Sequence, residues 1–177
     1  MKELLNTGIY LLVVLCATWL LIHYVVQRTT VEGSSMETTL SDGDNLFVDK
    51  ISYRFRDPER FDIIVFPYQY KEKTYYIKRI IGLPGETVRI DEAGNIYIND
   101  KILEESYGRE IIDADKIGLA AQTITLAADE YFVLGDNRNH SQDSRFADVG
   151  NIKRSDIIGR AWVRIWPFQK IGLISHQ

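Results

Sequence analysis

The chain has 177 residues, 26% of them charged and 45% hydrophobic, with a formal net charge of −4. That length holds one domain with its own core plus an appendage, and the slight acid excess gives no general reason to expect nucleic acid as a partner. A single cysteine, Cys16, excludes a disulfide framework.

The first feature in chain order is a charge-free run from Gly8 to Val26, GIYLLVVLCATWLLIHYVV. At a helical rise of about 1.5 Å per residue it spans roughly 28 Å, close to the hydrocarbon core of a bilayer. No stripe of the run is polar, which argues against a buried soluble helix. Its exit through Val25-Val26-Gln27-Arg28-Thr29-Thr30 lacks the small-x-small pattern of a cleaved leader. The run therefore reads as a retained transmembrane anchor, with Trp19, His23 and Tyr24 towards its end and the lipid bilayer as its partner. Lys2 and the terminal amine balance Arg28, so charge does not set the orientation. Cys16 lies inside this anchor, which leaves the remainder without thiolate chemistry. Residues 1–28 are the anchor and residues 29–177 the second unit.

The stretch from Thr29 to Leu40 follows directly, so anything placed there is held near the membrane. Asp42-Gly43-Asp44 makes a turn, and Asn45 to Ile51 reads as a strand with Leu46 and Val48 on one face. Ser52 to Arg60 is a polar loop, and Phe61 to Phe66 is a strand stopped by Pro67. Tyr75 to Ile81 is an aromatic and β-branched strand ended by Gly82-Leu83-Pro84-Gly85. Thr87 to Asp91 and Asn95 to Asn99 alternate around a hairpin turn. Lys101 to Gln122 reads as loop, Thr123 to Leu126 and Tyr131 to Leu134 as short strands, Gly135 to Arg145 as a long polar loop, and Ile157 to Trp166 as a closing strand. Short strands and frequent turn signals predict a mainly β fold, a compact β-sheet or β-barrel-like domain behind an N-terminal transmembrane helix.

The strand from Tyr75 to Ile81 carries the chemical interest. Alternation sends Tyr76, Lys78 and Ile80 to one face and Tyr75, Ile77, Arg79 and Ile81 to the other. Lys78 can be an edge lysine that snorkels to water; it can also be a base. A serine nucleophile needs a base, usually histidine. Of the three histidines, His23 lies in the anchor and His176 beside the C-terminus, which leaves His140 in the polar loop. A lysine must be neutral to serve, and an exposed one is only about 0.04% neutral at pH 7. Desolvation lowers that pKa by several units, and Lys78, between Tyr76 and Ile80 on its own face, is placed for it. Gly33-Ser34-Ser35-Met36 offers the nucleophile, although small polar residues after an anchor also serve as plain linker. Gly135 to Arg145 resembles a charge-paired supporting loop. It fails as a Ca²⁺ loop because Arg138 and His140 stand at ligand positions.

Ser35-Met36-x-x-Thr39-Leu40, then Tyr76-Ile77-Lys78-Arg79-Ile80-Ile81-Gly82-Leu83-Pro84-Gly85-Glu86, then Gly135-Asp136-Asn137-Arg138-x-x-Ser141-x-Asp143-Ser144-Arg145 together resemble the bacterial type I signal peptidases. The anchor and the closing Gly159-Arg160-Ala161 and Trp166-Pro167 agree. The resemblance implies a serine endopeptidase with Ser35 as nucleophile and Lys78 as general base. It implies that Ser141 hydrogen-bonds and orients the lysine, that Asp143 and Arg145 pair, and that Asp136 and Arg79 support the site. Val31, Met36, Leu40, Tyr76 and Ile77 would line the pocket for the residue before the cut, and Leu46, Val65 and Ile77 the pocket two residues further back. The implied partners are signal-peptide-bearing preproteins cut after small-x-small sites at the extracytoplasmic membrane face, with no metal, cofactor or nucleic acid.

Two positions depart from the family pattern. Gly33 stands where some members carry a serine that helps hold the oxyanion, and Thr38 stands where the pattern has proline. Proline would stiffen the segment, so Thr38 is expected to loosen it. These departures keep two other readings open: a peptidase dedicated to one client such as a pilin, and a non-catalytic anchored assembly factor. The intact Ser35 and Lys78 argue against the second.

Overall fold

The computed structural model describes residues 2–20, 25–72 and 74–176. A helix, α1, runs Lys2–Leu20, and its described side chains are exposed, Leu5, Leu12 and Leu15 among them. Among the described residues no helix is long and apolar enough to cross a membrane. The expected anchor ran on to Val26, but Val26 opens strand β1 (Val26–Thr30) and pairs with Asp49. β-branched Val26, Thr29 and Thr30 suit an extended backbone, and the ladder to the next strand supplies backbone partners that a helix end lacks. His23 and Tyr24 lie outside the described residues.

Among the described residues the strands form two sheets. The larger contains β1, β2 (Asn45–Asp49), β11 (Gly159–Trp166), β3 (Ile63–Pro67), β4 (Tyr75–Gly82), β9 (Glu130–Leu134) and β10 (Ile152–Lys153) in that spatial order, with β12 (Gly172–Leu173) also paired to β11. The smaller has the order β7 (Lys101–Ile102), β6 (Ile96–Ile98), β5 (Thr87–Ile90), β8 (Ile124–Thr125). All pairings are antiparallel. The larger sheet ends at β1 and β10 rather than closing into a barrel.

Apolar runs without alternation become intelligible here. In β3, Ile63 and Val65 enter one core cluster with Leu46, Val48 and Met36, while Ile64 and Phe66 enter a second with Ile80 and Val133. In β9, Tyr131 and Val133 join that second cluster, while Phe132 and Leu134 join a third, which packs the smaller sheet against the larger. Strands covered on both faces have no polar side to display. β4 changes partners along its length. It pairs with β3 from Tyr75 to Arg79 and with β9 only from Arg79 onward, with an irregularity between Ile80 and Gly82. Its first half therefore has a free edge, and the long loop after β9 passes beside it.

Phe132 is fully buried in the cluster that joins the two sheets. Phe132→Ala should destabilise the domain by about 3–5 kcal/mol through lost burial and the cavity left behind, read as a lower urea midpoint at unchanged m-value.

Candidate active site

The segment after β1 is a closed turn. The Val31 N–H donates to Asp44 O at 2.8 Å and the Gly43 N–H to Val31 O at 2.9 Å. Within it, Met36 and Leu40 are buried and pin the turn to the core, and the Leu40 N–H donates to Met36 O at 2.8 Å. Ser35 is thereby held half-buried at the surface. Gly33 has φ +89, and its N–H donates to Asp42 Oδ1 at 2.8 Å. A serine would be strained in that left-handed backbone, so the departure at Gly33 belongs to the way this turn is wound.

Lys78 comes to meet this turn. Its Nζ donates to Ser35 Oγ at 2.8 Å and to Ile77 O at 3.0 Å, and lies 5.0 Å from the centre of the Tyr76 ring. The side chain is 3% exposed. Burial lowers its pKa from 10.5 to about 8; Asp143 and Asp136 oppose the shift and Arg145 adds to it. About a tenth of the lysine is then neutral at pH 7. His140 is exposed in a short turn. His176 accepts from the Ile63 N–H at 3.0 Å, and burial together with Arg160 lowers its pKa to about 4. The Ser35 hydroxyl thus has a lysine, rather than a histidine, against it.

The next residue, Arg79, points the other way and anchors the loop after β9. Its Nε and Nη2 donate to Asp136 Oδ1 and Oδ2 at 2.9 and 2.7 Å, Nη1 donates to Phe61 O at 3.0 Å, and the guanidinium lies 3.8 Å from the Tyr107 ring centre. Asp136 also accepts from Thr39 Oγ1 at 2.6 Å. Further along, Arg145 donates to both carboxylate oxygens of Asp143 at 2.8 and 2.9 Å, and Asp143 Oδ2 accepts the Gly135 N–H at 3.0 Å. These ion pairs are essentially unexposed. With the loop fixed, Asn137 grips the serine turn, its N–H on Ser35 O at 3.0 Å and its Nδ2 on Ser34 O at 3.0 Å. Asn137 and Thr39 lie within the motifs read from the sequence, but nothing in residue type or spacing marked them as clamps. Only the fold brings positions about a hundred residues apart together.

Ser141 departs from expectation. Its hydroxyl is buried but has no hydrogen-bond partner among the described residues, Lys78 included. It sits over the Cα of Gly135, where a Cβ would come within 2.2 Å of Ser141 Oγ and 2.5 Å of Ser35 O. The hydroxyl is packed beside the Ser35 backbone, while Lys78 Nζ donates to Ser35 Oγ and Ile77 O. Thr38 is exposed, yet the segment is tied on both sides of it. Arg109 pairs with Glu37 at 3.1 Å, and Arg164 Nη2 donates to Thr39 O at 2.6 Å.

A cleft of about 650 Å³ opens over the pair. One wall is residues 27–32 and the other residues 74–78, with Ser35, Met36 and Gln142 at the floor and end. β1 is the end strand of its sheet, and β4 has its free edge here. Val31, Met36, Tyr76 and Ile77 line the cleft. Leu40, Leu46 and Val65 do not. They are 0%, 0% and 1% exposed and packed with Val31, Met36 and Ile77 in the core.

Residues 4–166 match the family "Signal peptidase, peptidase S26". The chain is 43% identical over 157 residues to "Probable signal peptidase I-2" of Synechocystis sp., covering 86% of this chain and 68% of that protein. It is 34% identical over 172 residues to "Signal peptidase I T" of Bacillus subtilis, covering 94% and 88%. A crystallised signal peptidase I from Enterococcus faecalis is 37% identical and covers 59% of this chain and 97% of its own, with a TM-score of 0.49. The family match and the two named relatives define the class as serine endopeptidase. Within it, the chain belongs to the signal peptidase family, peptidase S26, of the signal peptidase I type.

Gly135→Ala should displace the Ser35 carbonyl or Ser141 and lower cleavage by about 10²-fold, the scale of a misplacement near 1 Å, while the protein stays folded by circular dichroism. A second expectation concerns pH and stability. The folded pKa of Lys78, about 8, lies below its ordinary 10.5. Charging the buried amine therefore opposes folding below pH 8, and the penalty disappears as pH rises to about 10.5. Lys78→Met should be more stable than wild type by up to about 3 kcal/mol at pH 7, with the difference closing over that window in urea titrations.

Proposed function

We propose that this signal peptidase is a single-pass membrane enzyme that removes signal peptides on the extracytoplasmic face through a Ser35–Lys78 pair. The observation that carries the reading is Lys78 Nζ at 2.8 Å from Ser35 Oγ, in a site dry enough to lower the amine to about 8. Neutral Lys78 accepts the proton of Ser35 as Oγ attacks the scissile carbonyl. The N–H of Ser35, which meets no acceptor among the described residues, holds the developing oxyanion. The lysine ammonium then passes its proton to the departing amine. Water, deprotonated by the same lysine, hydrolyses the acyl-enzyme. Asp136, Arg79, Asp143 and Arg145 hold the framework, and Ser141 packs beside it.

The substrate enters extended, adding its backbone to the free edges of β1 and β4. Alternate side chains then point into the floor. Val31, Met36, Tyr76 and Ile77 line the cleft, and bulky walls of this kind suit small residues at the first and third positions before the cut. Anchoring is supported by the exposed apolar side chains of α1, an element that precedes the cleft wall β1 by only a few residues in the chain. So short a separation would keep the cleft close to the bilayer.

Purified full-length protein in detergent should cut a preprotein at its Ala-x-Ala site, and Ser35→Ala or Lys78→Ala should retain less than about 10⁻³ of the rate. The rate should fall about tenfold per pH unit below pH 7 and level off above about pH 9 as Lys78 loses its proton. Unaltered cleavage by Lys78→Ala, or a flat profile from pH 6 to 10, would rule out lysine as the base.

A further inference from the structure

Gln142 lines the cleft, yet neither the motifs nor the mechanism above uses it. It is exposed, in the loop that passes the free edge of β4, immediately after Ser141. Its Nε2 donates to Asp148 Oδ1 at 2.5 Å. Asp148 is itself held, because its Oδ2 accepts from Tyr68 Oη at 3.2 Å and its backbone O from Gln69 Nε2 at 3.1 Å. Tyr68 in turn stacks on Tyr76, with ring centres 4.6 Å apart, and Tyr76 forms the cleft wall beside Lys78. A carboxylate only accepts hydrogen bonds, so the carboxamide must turn its NH₂ towards Asp148. The Gln142 oxygen is thereby left as an acceptor that the Asp148 contact does not use.

The position of that acceptor matters. Residues 27–32 and 74–77 run along the cleft on the approach to Ser35 and Lys78, where the part of the substrate before the cut adds to the strand edges. Lys78 would deliver the proton to the departing nitrogen, and Gln142 borders the same cleft as Lys78 and Ser35, so an acceptor there can meet the departing chain. We infer that Gln142 is a substrate-positioning residue whose side-chain oxygen, oriented by Asp148, accepts a hydrogen bond from a backbone N–H within the first residues after the scissile bond. This rests on the peptidase reading above. It gives the enzyme a sequence-independent hold on the mature side, suited to precursors whose mature termini differ.

The test uses full-length protein in detergent and a synthetic peptide with an Ala-x-Ala site, together with three versions N-methylated at the first, second or third residue after the cut. One methylation should lower kcat/KM of the wild type about fivefold, the size of one net neutral hydrogen bond. Gln142→Ala should lose about the same factor on the unmodified peptide and show no further loss on that methylated one. Asp148→Ala, which frees the carboxamide to rotate, should reduce the wild-type sensitivity without abolishing it. Equal methylation penalties in wild type and Gln142→Ala would overturn the inference, as would full sensitivity in Asp148→Ala or coupling confined to N–H groups before the cut. A wild type that does not cut the unmodified peptide would instead overturn the peptidase reading.

Discussion

At Lys78 an amine that water would keep charged is held 3% exposed against a serine hydroxyl, a carbonyl and an aromatic ring. Desolvation is the largest influence on it, and the nearby carboxylates only partly offset that influence. A buried amine is an unfavourable group for folding, so the surroundings must be rigid enough to keep it there. The strands beside it are covered on both faces, and the clusters on either side of β3 and β9 supply the packing that tolerates the strain. The same burial that opposes folding at neutral pH leaves part of the amine neutral, the form that the proposed general base requires.

Around this group the chain keeps its charges in closed pairs. Arg79 with Asp136 and Arg145 with Asp143 are buried and doubly hydrogen-bonded. Such pairs contribute little net stability after desolvation; what they supply here is position. Each fixes one end of the loop from Gly135 to Arg145, and that loop holds the serine turn through Asn137 and carries Ser141 and Gln142. The charges also stay near enough to tune Lys78, since Asp143, Asp136 and Arg145 all act on it. A mobile loop would let both the geometry and the field drift.

The cleft follows from an irregularity in sheet pairing. β4 is shared between β3 and β9, but its first half has only β3 beside it, and β1 stands at the end of its sheet. Unpaired edges are a hazard in most β proteins. Here they face a common space above the serine, where an extended peptide can satisfy them. The aromatic hairpin with Tyr68 and Tyr76, tied through Asp148 to Gln142, closes the side of that space nearest the lysine.

The amino-acid sequence determined the mainly β character, most strand positions and the apolar N-terminal helix, because these are written locally in alternation, β-branching and turn residues. It also showed Lys78 and Arg79 turned to opposite faces, and the motif order identified the family. Strands β1, β7, β10 and β12 escaped, since two-residue pairings, or a strand beginning inside an apolar run, have no pattern of their own and exist only because a neighbour completes the ladder. Likewise the family resemblance placed Leu40, Leu46 and Val65 in pocket walls, whereas packing buries them in the core. Depth, and distance between residues far apart in the chain, were decided by tertiary structure: the 2.8 Å between Ser35 and Lys78, the grip of Asn137 on the serine turn, and the Ser141 hydroxyl lodged over Gly135. Periodicity tells a side chain which face it takes, whereas what waits on that face depends on segments that only folding brings together.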